Sequence, residues 1–284
     1  MKSVVVIRLG RLGDVTLTAP TMKNLRFLYP EADILLVTRR NYETLGGMIP
    51  GVSRVLTFPE NGSYFDLMRL SGEIDQFHPD LIVDLHKNFR SFHLATLTRA
   101  PYKVVYHKRR KERQAAVSTK TFVSPVPHTT DLYNQTVKEL KGEILARRPD
   151  LLLPSALTDS NGGIREGVAI VPGASSPVKA WPAERFAALA ERIIYDFKCP
   201  VHIFLGDGEE SLSAAFKAVP QDKISFHHNL PIDQVAAKLA HVRLTLTNDS
   251  GLMHVSSAVG TPTAAFFGPT HEQLGFYPLG LFDT

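Results

Sequence analysis

The chain has 284 residues, 44% hydrophobic and 21% charged, with a net charge of +4. This is ordinary globular composition, with enough chain for two cores. No apolar run approaches the ~18 residues of a membrane span, the run before Arg8 is too short for a signal-peptide core, and a lone Cys199 excludes a disulfide framework or a multi-cysteine metal site. A reducing, cytoplasmic setting is expected.

Val4 to Ile7 is a β-branched run that predicts a buried parallel strand. Arg8 to Gly13 reads as a turn with two glycines, and Val15 to Leu28 as a helix stopped by Pro30. Strands are predicted at Ile34–Val37, Val55–Phe58, Leu81–Val83 and Lys103–Tyr106, with an amphipathic helix over Phe65–Phe77. Residues 149–163, rich in Pro, Ser and Gly, read as a linker. The pattern then restarts. Strands are predicted at Val168–Val171, Val201–Leu205, Leu244–Thr247 and Ala264–Phe267, and helices at Ala183–Phe197, Ile232–Ala240 and Leu252–Val259. Alternating strands and helices imply two doubly wound α/β domains, 1–155 and 156–284, facing a cleft.

Charge is unevenly spread. Residues 1–142 hold 21 Lys and Arg against 13 Asp and Glu, whereas residues 143–284 hold 11 against 15. An anionic partner is therefore expected for the first half only, with nucleic acid, a membrane surface or a phosphorylated substrate all compatible. Six basic residues, Lys103, Lys108, Arg109, Arg110, Lys111 and Arg113, stand against Glu112 alone. Asp84, His86, Lys87 and Arg90 follow a strand and so lie nearer a ligand site. No RNA- or DNA-binding signature accompanies the charge.

Ligands of open α/β sheets bind beyond the carboxyl ends of strands. Three loops there carry chemistry. In Arg8-Leu9-Gly10-Arg11-Leu12-Gly13-Asp14, Asp14 reads either as a helix-start carboxylate or as a general base. Pro172-Gly173-Ala174-Ser175-Ser176-Pro177-Val178-Lys179 offers small residues, exposed amides and one ammonium suited to phosphate, or else a plain turn. Trp181, just after it, reads as core. In Thr247-Asn248-Asp249-Ser250-Gly251-Leu252-Met253-His254, a helix N-terminus at Ser250 and Gly251 suits an anion, with His254 one turn inside. The alternative is that Asp249 or Ser250 only caps the helix. No metal-ligand spacing, P-loop or nucleophile elbow is present.

These segments, with Asp84-Leu85-His86-Lys87-Asn88-Phe89-Arg90-Ser91, Lys179-Ala180-Trp181-Pro182, Gly260-Thr261-Pro262 and Phe267-Gly268-Pro269-Thr270, resemble glycosyltransferase family 9, the heptosyltransferases of lipopolysaccharide core assembly. The resemblance spans nearly the whole chain. It implies a GT-B fold, with acceptor on the first domain and nucleotide sugar on the second. It also implies inversion, no catalytic metal, and transfer from ADP-L-glycero-D-manno-heptose to the phosphorylated inner core on lipid A. Asp14 is then the expected base. Lys179, Gly173, Ser175, Asp249, Ser250, Gly251 and His254 are expected at the donor, and Gly13, His86, Lys87, Arg90, Lys108, Arg109 and Arg110 at the acceptor. The expected setting is the cytoplasm with peripheral contact at the inner membrane, and no nucleic acid. After Thr270 a short tail is expected where the family continues. Another nucleotide sugar, or a catalytically impaired nucleotide binder, are the alternative readings.

Overall fold

The computed structural model describes residues 1–119, 126–155, 165–268 and 271–280. Two compact units are present. One comprises Met1–Leu152 with Gln273–Gly275, the other Leu153–Glu272 with Phe276–Thr284. The division falls at Leu152, with Gln273–Gly275 joining the first unit, and most of the expected linker lies outside the described residues.

The first unit alternates strands and helices. Its elements are β1 (Ser3–Ile7), α1 (Leu12–Thr16), α2 (Ala19–Leu28), β2 (Asp33–Arg39), α3 (Glu43–Gly47) and β3 (Arg54–Phe58), followed by α4 (Tyr64–Gln76), β4 (Leu81–Asp84), α5 (Phe89–Leu97), β5 (Tyr102–Val105), α6 (Arg110–Thr119) and α7 (Thr129–Glu139). All pairings are parallel, in the order β3-β2-β1-β4-β5. Val4 to Ile7 are wholly buried, as a strand covered on both faces requires.

Several features depart from the sequence reading, among them the helices α3 and α5, neither of which was expected. The helix expected over 15–28 is broken. Pro20 has no N–H, and its ring would meet the carbonyl of Thr16, where α1 ends. The basic stretch turns helical from Arg110. The helix α7 was not expected, because its buried face mixes Thr129, Thr130, Asn134 and Thr136 with Leu132, Tyr133 and Val137. Asn134 Oδ1 accepts from Thr21 Oγ1 at 2.8 Å and Asn24 Nδ2 at 3.1 Å, and its Nδ2 donates to the Ala146 carbonyl. A satisfied polar seam of this kind joins α7 to α2 beside the buried Leu132, Tyr133 and Val137.

The short segment Gln273–Gly275 packs on this unit. Val126 N–H donates to Gln273 O, and Thr129 N–H to Gly275 O. Gly275 has φ +79, and a Cβ there would lie 2.4 Å from the Pro127 carbonyl oxygen, so only glycine fits.

In the second unit β6 (Val168–Val171), α8 (Ala183–Phe197), β7 (Val201–Leu205), β8 (Ile224–His228), α9 (Ile232–Ala240), β9 (Leu244–Asn248), α10 (Gly251–Ala258) and β10 (Thr263–Phe266) build a second parallel sheet. Its order is β10-β9-β6-β7-β8. The edge strand β8, ending His227-His228, escaped the sequence reading because its side chains do not alternate cleanly. His227 tilts against Phe204 and stacks on His202. Trp181 stacks on Phe266 at 4.5 Å and meets Phe186 edge-on, as core. Phe186 is fully buried at the centre of this cluster.

Replacing it tests the packing. Phe186→Ala should lower unfolding free energy by about 3–5 kcal/mol, read as a lower urea midpoint.

Candidate active site

Each sheet reverses its strand order once, between β1 and β4 in the first unit and between β6 and β9 in the second. A crevice opens beyond the carboxyl ends of the strands at such a reversal. The segments following these four strands are 8–14, 85–91, 172–182 and 249–254. All four carry residues singled out from the sequence.

In the first unit, Asp14 lies in the first turn of α1 and is 21% exposed. It does not act as a helix cap; Arg11 holds that position without a side-chain bond. Asp14 Oδ2 instead pairs with Arg8 Nη2 at 2.7 Å. Arg8 is a buried cation, missed as a site residue because a lone arginine after a strand reads as solvent-facing. Its Nη1 donates to the Leu85 carbonyl at 2.7 Å, and its guanidinium lies over the Tyr133 ring. Burial alone would lower the Arg8 pKa, but Tyr133, Asp14 and Tyr106 hold it raised, so the charge stays. Gly10 makes room for this fold-back: a Cβ there would sit 2.8 Å from Arg8 Nε. The glycine expected in a turn thus gives Arg8 the space to fold back. Gly13 is buried inside α1.

The expected basic residues divide by role. The buried carboxylate of Asp84 shapes the turn after β4, accepting from the amides of His86 and Lys87 and from Ser91 Oγ, each at 2.8 Å. His86 is half-buried, and its Nδ1 has no hydrogen-bond partner among the described residues. Burial, then the charges of Arg8 and Lys108, push its pKa down to about 3, so the ring is neutral at pH 7. Lys87 is exposed, and Arg90 lies over the Phe58 ring. Lys108 is half-buried, its pKa lowered by burial and by Arg8. Arg109 pairs with Glu112 at 3.1 Å, and Arg110 is exposed at the start of α6. Arg113 was not expected to be structural, yet it donates to Leu274 O and Thr129 Oγ1.

In the second unit, Asn248 at the end of β9 clips both ends of the 172–182 segment. Its Nδ2 donates to the Pro172 carbonyl at 2.7 Å, and its Oδ1 accepts from Trp181 N–H at 2.9 Å. The sequence motif contained this residue, but its neighbours Asp249 and Ser250 drew the functional reading. The clip brings Lys179 beside Asp249, with Nζ and Oδ2 2.5 Å apart. Sequence reading placed both at the donor but not in contact with each other. Ser250 takes the cap position of α10 with no side-chain cap bond, so its hydroxyl leaves the first-turn amides available. The suggestion that Ser250 only caps the helix is therefore corrected. Gly251 opens α10, and His254, one turn inside, is 5% exposed. Ser175 is exposed. Gly173 is buried against Glu209, whose carboxylate occupies the space a Cβ would need. A carboxylate there suits hydroxyl donors better than phosphate. Among the described residues, no group of three or more His, Cys, Asp or Glu is placed to hold a metal ion.

Solved glycosyltransferases share this architecture. A family 9 glycosyltransferase from Veillonella parvula matches with a TM-score of 0.83 at 23% identity, over 100% of this chain and 86% of that one. An Escherichia coli heptosyltransferase solved with ADP gives 0.80 at 18% identity, over 99% and 92%. Two Rossmann-like units with polar loops at both strand reversals define the GT-B class. In sequence, lipooligosaccharide heptosyltransferase 2 of Haemophilus influenzae is 23% identical over 295 aligned positions, covering 95% of this chain and 84% of the relative. The profile of glycosyltransferase family 9 (heptosyltransferase) matches residues 68–279. The chain belongs to that family and is a glycosyltransferase.

Two outcomes test the first-unit geometry. Asp14→Ala leaves a buried guanidinium uncompensated and should cost about 3 kcal/mol in urea unfolding, more than the double variant Arg8→Met/Asp14→Ala. His86 should keep the imidazole nitrogen shifts of a neutral ring down to pH 5. Its folded pKa lies below the ordinary value, so protonation favours the unfolded chain and any stability cost grows as pH falls below about 6.5.

Proposed function

We propose that this transferase moves heptose from ADP-L-glycero-D-manno-heptose to the phosphorylated inner core of lipopolysaccharide, with inversion and without a catalytic metal. The observation that carries the reading is Lys179, fixed beside Asp249 at the strand reversal of the second sheet, next to the first turn of α10. An ammonium and free helix amides at one site suit a diphosphate. The relatives' names, among them a heptosyltransferase solved with ADP, support the choice of donor.

In this reading the first unit takes the acceptor and the second the nucleotide sugar. An acceptor hydroxyl attacks the anomeric carbon and gives its proton to Asp14. Arg8 occupies Oδ2, and Oδ1 accepts no hydrogen bond among the described residues, so Oδ1 is the proton acceptor. As the new C–O bond forms, the bond to the β-phosphate oxygen breaks, and ADP leaves with the electron pair. Lys179 and the amides at Ser250 and Gly251 stabilise its charge, which makes a divalent ion unnecessary. Lys179 must share itself between Asp249 and the phosphate. Ser175 and Gly173 border the donor site, and His254 supports α10 from inside. At the acceptor, Lys87, Lys108 and Arg110 offer charge for phosphate, Arg90 and Arg109 flank them, and neutral His86 offers a hydrogen-bonding ring beside Gly13 and Asp14. A cytoplasmic location, at the face of the inner membrane, follows from an acceptor carried on lipid A. No helix among the described residues is long and apolar enough to cross a membrane.

Calorimetric titration with ADP and UDP in metal-free buffer is the first test. ADP should bind more tightly, and Lys179→Ala should weaken it about 10-fold or more. A preference for UDP would replace the donor, and no binding of either would overturn the reading. Asp14→Asn, which keeps the shape of the side chain, should cut turnover by ~10²–10⁴-fold with ADP affinity unchanged. Chelator should leave turnover intact.

A further inference from the structure

One helix of the first unit is apolar on both faces. The inward face of α5 places Leu94 and Ala95 in the core. Its outward face carries Phe89, 70% exposed, and Phe92, 63% exposed, with Leu97 one turn beyond. These positions lie three and eight residues apart, on one side of the helix. The neighbouring α4 adds Tyr64, Phe65 and Met68 at its first turns, with Phe65 85% exposed. The two helices pack together, and the His93 ring joins their aromatics, 4.4 Å from Phe89 and 5.9 Å from Tyr64. A helix with a second apolar face in water is a surface looking for a partner.

Charge identifies the partner. Between Asp84 and Glu112 the sequence has no acidic residue and eight Lys and Arg, and α5 lies inside that stretch. Lys87 and Arg90 bracket Phe89. On α4, Asp66 and Glu73 are both held by Arg69, and Asp75 is held by Arg99. Exposed aromatics flanked by basic side chains are the pattern of an element lying in the headgroup zone of an anionic leaflet. A second copy of the chain fits less well, since pairing this patch with itself would set Lys87 and Arg90 against their own copies. A single acyl chain fits less well too, because a phenyl ring as exposed as Phe65 stands out of the surface and lines no groove.

We infer that the outer faces of α4 and α5 dock this protein onto an anionic phospholipid bilayer, with Phe65, Phe89 and Phe92 entering the interface. The inference deepens the membrane-face part of the proposed function and rests on it only for the setting. Vesicle binding is measured without either substrate, so its failure leaves the transfer reading standing, and failed transfer leaves the docking standing.

The experiment is vesicle flotation of the full chain with phosphatidylethanolamine mixed with phosphatidylglycerol, against phosphatidylcholine alone. The protein should float with the anionic vesicles only, and less at about 0.5 M salt. Phe65→Ser/Phe89→Ser/Phe92→Ser should lower partitioning about 10-fold or more. It should leave ADP affinity, and turnover of a delipidated acceptor, unchanged. Phe65→Ser alone, at the most exposed site, should give a smaller loss in the same direction with no change in circular dichroism. Equal flotation of wild type and the triple variant overturns the inference, as does absence of binding to anionic vesicles. So does binding only to vesicles that carry the acceptor, which would assign the patch to the acceptor's lipid. A concentration-dependent dimer that the triple variant abolishes, without vesicle binding, would assign it to a second copy.

Discussion

The reversal of strand order in each sheet is the constraint on which the rest of this molecule depends. Parallel strands point their carboxyl ends one way, so the loops after them share one edge. Where the order reverses, the two central loops diverge to opposite sides and leave a crevice. In the first unit those loops hold Arg8 to Asp14 and Leu85 to Ser91, and in the second Pro172 to Pro182 and Asp249 to His254. The candidate residues gather there, where the reversal of strand order opens a crevice.

Each unit then fixes one carboxylate and one cation together, by different means. In the first, Arg8 is held by a backbone carbonyl and a tyrosine ring before it meets Asp14, so the pair is rigid and largely dry. Its partner loses little side-chain entropy on pairing. In the second, the backbone is fixed first, by the side-chain bonds of Asn248 to Pro172 and Trp181, and Lys179 reaches Asp249 from a loop. A cation on a flexible stem can move from carboxylate to phosphate; a buried guanidinium cannot. The two pairs therefore differ in freedom: the first holds its carboxylate in place, and the second leaves its cation able to change partner.

The sequence was most legible where a side chain's environment follows from its neighbours. Val4 to Ile7, Val168 to Val171 and the amphipathic α8 were read correctly, since buried strands and one-faced helices write their environment into their period. It was least legible where burial is polar. The α7 helix hides Asn134 in a hydrogen-bonded seam with Thr21 and Asn24 of α2, and no periodicity rule assigns such a residue to a core. The candidate loops were visible because small residues, glycines and charges cluster there, but their internal pairings were not.

The sequence by itself determined the alternation of strands and helices, the two α/β halves, the basic bias of the first, and the loops that hold Asp14, Lys179 and Asp249. These follow from local period, composition and order along the chain. Only the tertiary structure decided that Arg8 turns inward to Asp14, that Lys179 faces Asp249, that Gly173 abuts Glu209, and that α5 shows apolar surface on two sides. The pairings depend on how side chains turn and how separate loops pack, and the exposure of α5 depends on what covers it, none of which a local pattern records.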